Sequence, residues 1–122
     1  MIMAKIEFGD PSLRVVRRVC RYELRGVAFV EGYDQTVEFS FEFHVGRLSL
    51  RIEDVYAAKE VYYFFKKLFD QYSSKTEGLT KGLYTSWNMK EEMLKETVDE
   101  IEKVLGNKWK EAFRKMMIDR TE

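Results

Sequence analysis

An α+β fold is predicted for this sequence: a small, mostly antiparallel sheet, an early helix, and two to three C-terminal helices packed on one sheet face. Three observations predict it. Residues 36–45, TVEFSFEFHV, alternate polar and apolar side chains, the period of a half-buried strand. The stretch behind it, GRLSLRI, alternates in the same way and can close a hairpin with it. From Glu53 onward the apolar residues recur at three- and four-residue spacing, as amphipathic helices require.

Composition sets the frame for these elements. At 122 residues the chain is predicted to be a single domain over 1–122, with a sheet-rich part at 1–52 and a helical part at 53–122. An apolar fraction of 45% and an aromatic fraction of 15% are enough for a packed interior. Basic and acidic residues number 21 each, so overall charge gives no argument for nucleic-acid binding. One cysteine excludes an internal disulfide framework, and one cysteine with one histidine excludes the ordinary zinc spacings. The opening MIMAKIEF meets Glu7 and Asp10 too soon for a secretory signal, and no apolar run approaches the length of a membrane span. The expectation is a cytoplasmic protein with no membrane partner. Two Asn, two Gln and one Pro beside 34% charged residues give a thermophile-like composition.

Residues 2–8 read as a short strand. In GDPSLRVVRRVCRYELRG, Asp10 suits a helix N-cap, Pro11 the first helical position and Gly26 the position just past the end. A helix over residues 11–25 gathers Arg14, Arg17, Arg18, Arg21 and Arg25 within an arc of about 100°. Leu13, Val16, Cys20 and Leu24 fall opposite. As one strand the arginines would scatter over both faces, so the helix is preferred. Its flaw is Glu23, which lands in the apolar arc and suggests an end near Arg21 with extended chain beyond.

VAFVE (27–31) is apolar on both faces and reads as a central strand, with EGYDQ as the following turn. A tight Val45-Gly46 connection then pairs Phe43 with Leu48, Phe41 with Leu50 and Phe39 with Ile52 on one face. The other face pairs Glu42 with Ser49 and Ser40 with Arg51. Val45 suits a positive φ poorly, which leaves a four-residue loop of the same register as the alternative. Helical stripes follow over 54–72 and 89–105, the second capped by Asn88 with Glu91 as partner. Residues 73–88, rich in Ser, Thr and Gly, read as the loop between them. After Gly106 a last helix shows Trp109, Ala112, Phe113, Met116 and Met117.

The row Phe39, Phe41, Phe43 is either a stacking platform or a core. The helices need an apolar surface to cover, and the hairpin supplies the only wide one. Glu38 and Glu42 on the same strand also oppose a platform for nucleic acid. The core reading is taken.

The arginine stripe is the least ordinary feature, because all but two of the nine arginines precede residue 52. Guanidinium groups suit bidentate contact with phosphate or carboxylate, and a helix of this length, roughly 22 Å, can follow several phosphates. The plain alternative is a solvated face paired with acids such as Glu31, Asp34, Glu38 and Glu42. His44 shares an outward face with Glu42 and Glu38, but Glu42 and His44 could hold a metal only with a third ligand from a neighbouring strand; none is apparent and Arg47 lies beside His44, so no metal is assigned. The acids from Glu91 to Glu102 interleave with lysines as surface pairs. Cys20 reads as an inert core thiol. No phosphate-loop, dinucleotide or nucleophile-elbow motif occurs, so no catalytic residue or cofactor is assigned and an enzyme is not favoured.

The C-terminal pair resembles a helix-turn-helix only in outline, since Glu102 stands where that motif wants a small buried residue. Two functional expectations follow. The first is a non-enzymatic protein contacting nucleic-acid phosphates through Arg14, Arg17, Arg18, Arg21 and Arg25. The second is a protein-interaction module that self-associates into a homo-oligomer through Trp109, Phe113, Met116 and Met117.

Overall fold

A computed structural model describes residues 5–16, 21–54 and 56–119. The chain is α+β, with a seven-stranded sheet and three α-helices among the described residues. Strands β1 (Ile6–Phe8), β2 (Ser12–Val16), β3 (Arg21–Val30), β4 (Val37–His44) and β5 (Arg47–Ile52) lead into helix α1 (Ala58–Leu68). A second hairpin, β6 (Ser73–Leu79) and β7 (Gly82–Asn88), precedes a short 3-10 turn at Glu91–Met93. Helices α2 (Leu94–Leu105) and α3 (Asn107–Met117) end the chain. Every strand pair is antiparallel, in the order β1-β3-β4-β5-β7-β6, with β2 beside β1 on the same edge of β3.

The β4–β5 register is the one expected: Phe43 faces Leu48, Phe41 faces Leu50 and Phe39 faces Ile52. The connection is the tight one, with Val45 at φ 47° and Gly46 at φ 73°. Two successive residues at positive φ match the right-handed twist of the flanking strands. Val45 accepts that conformation although a β-branched residue rarely does.

The phenylalanine row is core. Phe41 makes edge-on contacts with Phe65 of α1 (4.9 Å between ring centres) and Phe113 of α3 (5.0 Å). Phe39 stacks on Trp109 at 5.9 Å. Gly26, opposite Phe39 on β3, makes room for both rings: a Cβ there would lie 2.5 Å from Phe39 Cζ and 2.5 Å from Trp109 Cη2. The Trp109 indole N–H donates to the Gly9 carbonyl (3.0 Å), fastening α3 to the β1–β2 junction. Helix α2 packs on α3, and Lys110 reaches back to Glu102 (3.0 Å) and Asp99 (3.7 Å). The hydrogen bond that Lys110 donates to Glu102 raises the Lys110 pKa against the opposing effect of burial, with the charges of Glu102 and Asp99 adding to it.

Three expectations are corrected. The described part of residues 11–25 is not a helix; Ser12–Val16 form β2 and residues 21–25 the first half of β3, paired Ser12 to Arg25, Arg14 to Glu23 and Val16 to Arg21, while 17–20 lie outside the described residues. That register sets even-numbered residues of β2 on the same face as odd-numbered residues of β3. A hairpin can therefore align arginines that a single strand would scatter. The helix that precedes the C-terminal pair is α1. Residues 73–88 are a hairpin and not a loop, so the part after residue 53 is not wholly helical. Asn88 ends β7 and does not cap α2, and it is Asp54 that accepts from the backbone N–H groups of Tyr56 (2.8 Å) and Ala57 (2.7 Å) ahead of α1.

Two substitutions test this packing by thermal or denaturant unfolding. Gly26→Ala should destabilise by about 1–3 kcal/mol, because the added methyl forces Phe39 and Trp109 apart. Val45→Asn, at a side chain 81% exposed, should stabilise by about 1 kcal/mol, since asparagine tolerates the left-handed turn.

Candidate functional site on the open face of the sheet

Alternation along each strand sends Leu24, Phe41, Leu50 and Trp87 toward the helices and their neighbours to the opposite face. Among the described residues no element packs over that opposite face. Two transverse rows cross it. One runs Arg14, Glu23, Glu42, Ser49, Ser86, Lys75; the next runs Ser12, Arg25, Ser40, Arg51, Tyr84, Glu77. Beyond the first row, at the β4–β5 turn end, His44 faces Arg47, which faces Asn88. Arg21 lines the same hollow.

Glu23 is the fixed point of the face. Its Oε1 accepts from Arg25 Nε (2.6 Å) and Arg14 Nε (2.9 Å), and its side chain is only 18% exposed. Burial raises its pKa, but the hydrogen bonds and charges of Arg25 and Arg14 outweigh burial and hold the carboxyl below its ordinary value. Arg14 and Arg25 are thus engaged within the face. Arg51 lies over the Tyr84 ring at 5.6 Å, and the Tyr84 hydroxyl donates to Ser49 Oγ (3.0 Å).

Two adjoining basins open here. The larger, about 550 Å³, is lined by Arg25 and Arg51 but also by Asp10, Glu38, Glu42 and Glu53. The smaller, about 400 Å³, brings Arg21, Arg47 and His44 together with one carboxylate, Glu42. The Arg21 Nε is buried with no hydrogen-bond partner among the described residues. A buried guanidinium N–H without an acceptor is costly and uncommon, and the Arg21 side chain that carries it also lines the basin.

Of the arginines expected to act together, the structure brings Arg14, Arg21 and Arg25 onto one face, while Arg17 and Arg18, like Cys20, lie outside the described residues. Reading the sequence missed Arg47, Arg51 and Tyr84 as members of the same face. Their alternation with buried neighbours was visible, but not which strands lie side by side. Trp109, Phe113, Met116 and Met117 are buried in the chain's own core, because their stripe on α3 is the one that covers the sheet. Their side chains offer no surface for self-association. Among the described residues no group of three His, Cys, Asp or Glu is placed to hold a metal ion, and no helix is long and apolar enough to cross a membrane.

No family model matches the chain, and neither does any curated protein or solved structure.

The Glu23 cluster predicts an acid dependence of stability. A carboxyl held below its unfolded value contributes stability above about pH 4.3, and loses that contribution as pH falls toward its folded value. Thermal unfolding of Glu23→Gln across the acid range should show a shallower decline than the wild type.

Proposed function

We propose that the protein is a non-enzymatic, cytoplasmic interaction module that binds short single-stranded nucleic acid through its phosphates on the open sheet face. The observation that carries this reading is the basin that Arg21, whose buried Nε has no partner among the described residues, lines together with Arg47 and His44. Guanidinium donors at a hollow suit phosphate oxygens. Arg51 over Tyr84 supports the reading, because a guanidinium plane or an aromatic ring can carry a base.

The carboxylates of the neighbouring basin limit the contact to one end of the face. Arg14 and Arg25 are engaged by Glu23 and act as scaffold. A ligand touching about two phosphates, at a slope near −0.7 per phosphate for single strands, should lose about sevenfold in affinity between 50 and 200 mM salt.

Fluorescence anisotropy with short labelled single-stranded RNA and DNA tests this. Arg21→Ala and Arg47→Ala should each weaken binding about tenfold, the loss expected for a charged hydrogen bond. Binding that ignores both substitutions, or no binding at 50 mM salt, overturns the reading.

A further inference from the structure

The β6 edge of the sheet is seven residues long, SSKTEGL, and almost wholly exposed. Which of its backbone groups point outward follows from the ladder. Glu53 N–H donates to the Glu38 carbonyl (3.3 Å), so odd-numbered residues of β5 turn their backbone groups toward β4. Leu48, Leu50 and Ile52 therefore turn toward β7, in register with Trp87, Thr85 and Leu83. Tyr84, Ser86 and Asn88 face β6, where they meet Glu77, Lys75 and Ser73. What remains on the free side of β6 is the N–H and C=O of Ser74, Thr76 and Gly78.

These groups are arranged symmetrically about Thr76, and so are the charges. Lys75 and Glu77 flank Thr76, and among the described residues neither makes an ion pair within the chain. We propose that β6 pairs antiparallel with β6 of a second copy, about a two-fold axis through Thr76. In that register Thr76 exchanges backbone hydrogen bonds with its own equivalent, and Ser74 exchanges them with Gly78 of the other copy. Lys75 stands directly opposite Glu77 of the other copy, twice, at the closer, non-hydrogen-bonded positions where side chains interact most. Shifting the register by two residues in either direction leaves fewer outward groups paired and breaks both charge pairs.

Charged residues on an exposed edge usually repel a second strand. Here the order Lys-Thr-Glu makes the edge complementary to itself and so reverses that effect. A two-fold axis perpendicular to the sheet keeps the open faces of both copies on the same side, joined into one continuous surface.

The test is analytical ultracentrifugation of the full chain and three charge variants. The wild type should sediment at twice 14.6 kDa. Lys75→Glu alone, or Glu77→Lys alone, sets like charges opposite each other at two positions and should weaken the dimer about tenfold or more. The double exchange Lys75→Glu with Glu77→Lys should restore it. An equimolar mixture of the two single variants should form a heterodimer, because each then presents the charge the other needs. Unchanged unfolding midpoints for the dilute variants would separate lost pairing from lost fold. A wild type that stays monomeric into the millimolar range, or a dimer indifferent to these exchanges, overturns the proposal.

Discussion

The two-residue period of β4 is the constraint on which the rest of the molecule depends. Side chains alternate across a strand, so Phe39, Phe41 and Phe43 must share one face, and α1 and α3 pack there. Phe41 meets Phe65 and Phe113 edge-on and so joins both helices to the sheet at a single ring. Edge-on aromatic contacts of this kind add to the energy of area burial and fix the angle at which the helices lie. With apolar demand met on one side, the intervening residues are committed to the other. The open face is therefore a by-product of core formation, and its polar rows inherit the register that the core imposes.

That register was legible in β4 and β5 because both strands alternate strictly and a slip of one residue would bury Glu42 against Leu50. It was not legible over residues 11–25. The arginines there fit a helical arc because a periodicity scan assumes one unbroken phase, whereas two strands joined in an odd register change phase between them. Glu23 was the residue that signalled this. It spoils a helical apolar arc, yet on β3 it sits between Arg14 and Arg25 with its carboxylate bonded to both. The β6–β7 hairpin was hidden for a different reason. Thr85 is buried, but its hydroxyl is satisfied by the Lys75 carbonyl and by Thr76, so a core position is filled by a residue that reads as loop.

The candidate site was legible only as a surplus of arginines in the first half of the chain. Its assembly depends on strand order, in which β5 lies between β4 and β7. Nothing local requires the second hairpin to return beside β5 after α1. Only that return puts Tyr84 beside Arg51 and Asn88 opposite Arg47. The same return leaves β6 at the edge.

A net charge of zero conceals a separation of charge across the open face. Glu23 holds two arginines and is held by them, so this trio contributes a fixed scaffold in which two guanidinium groups share one carboxylate. On either side of it the remaining charges divide. Arg21 and Arg47 outnumber Glu42 at the β4–β5 turn, whereas Glu38, Glu53 and Asp10, the last paired with Lys108, outnumber Arg51 at the far end. His44 and Glu38 are six residues apart on one strand, roughly 20 Å along the sheet. Over that length, comparable to two Debye lengths at physiological salt, the two ends act as nearly independent fields. A ligand lying along the strands would be drawn by its anionic part to the turn and turned away at the other end. Orientation thus comes from the order of charges along β4 and its neighbours, which composition alone averages to nothing.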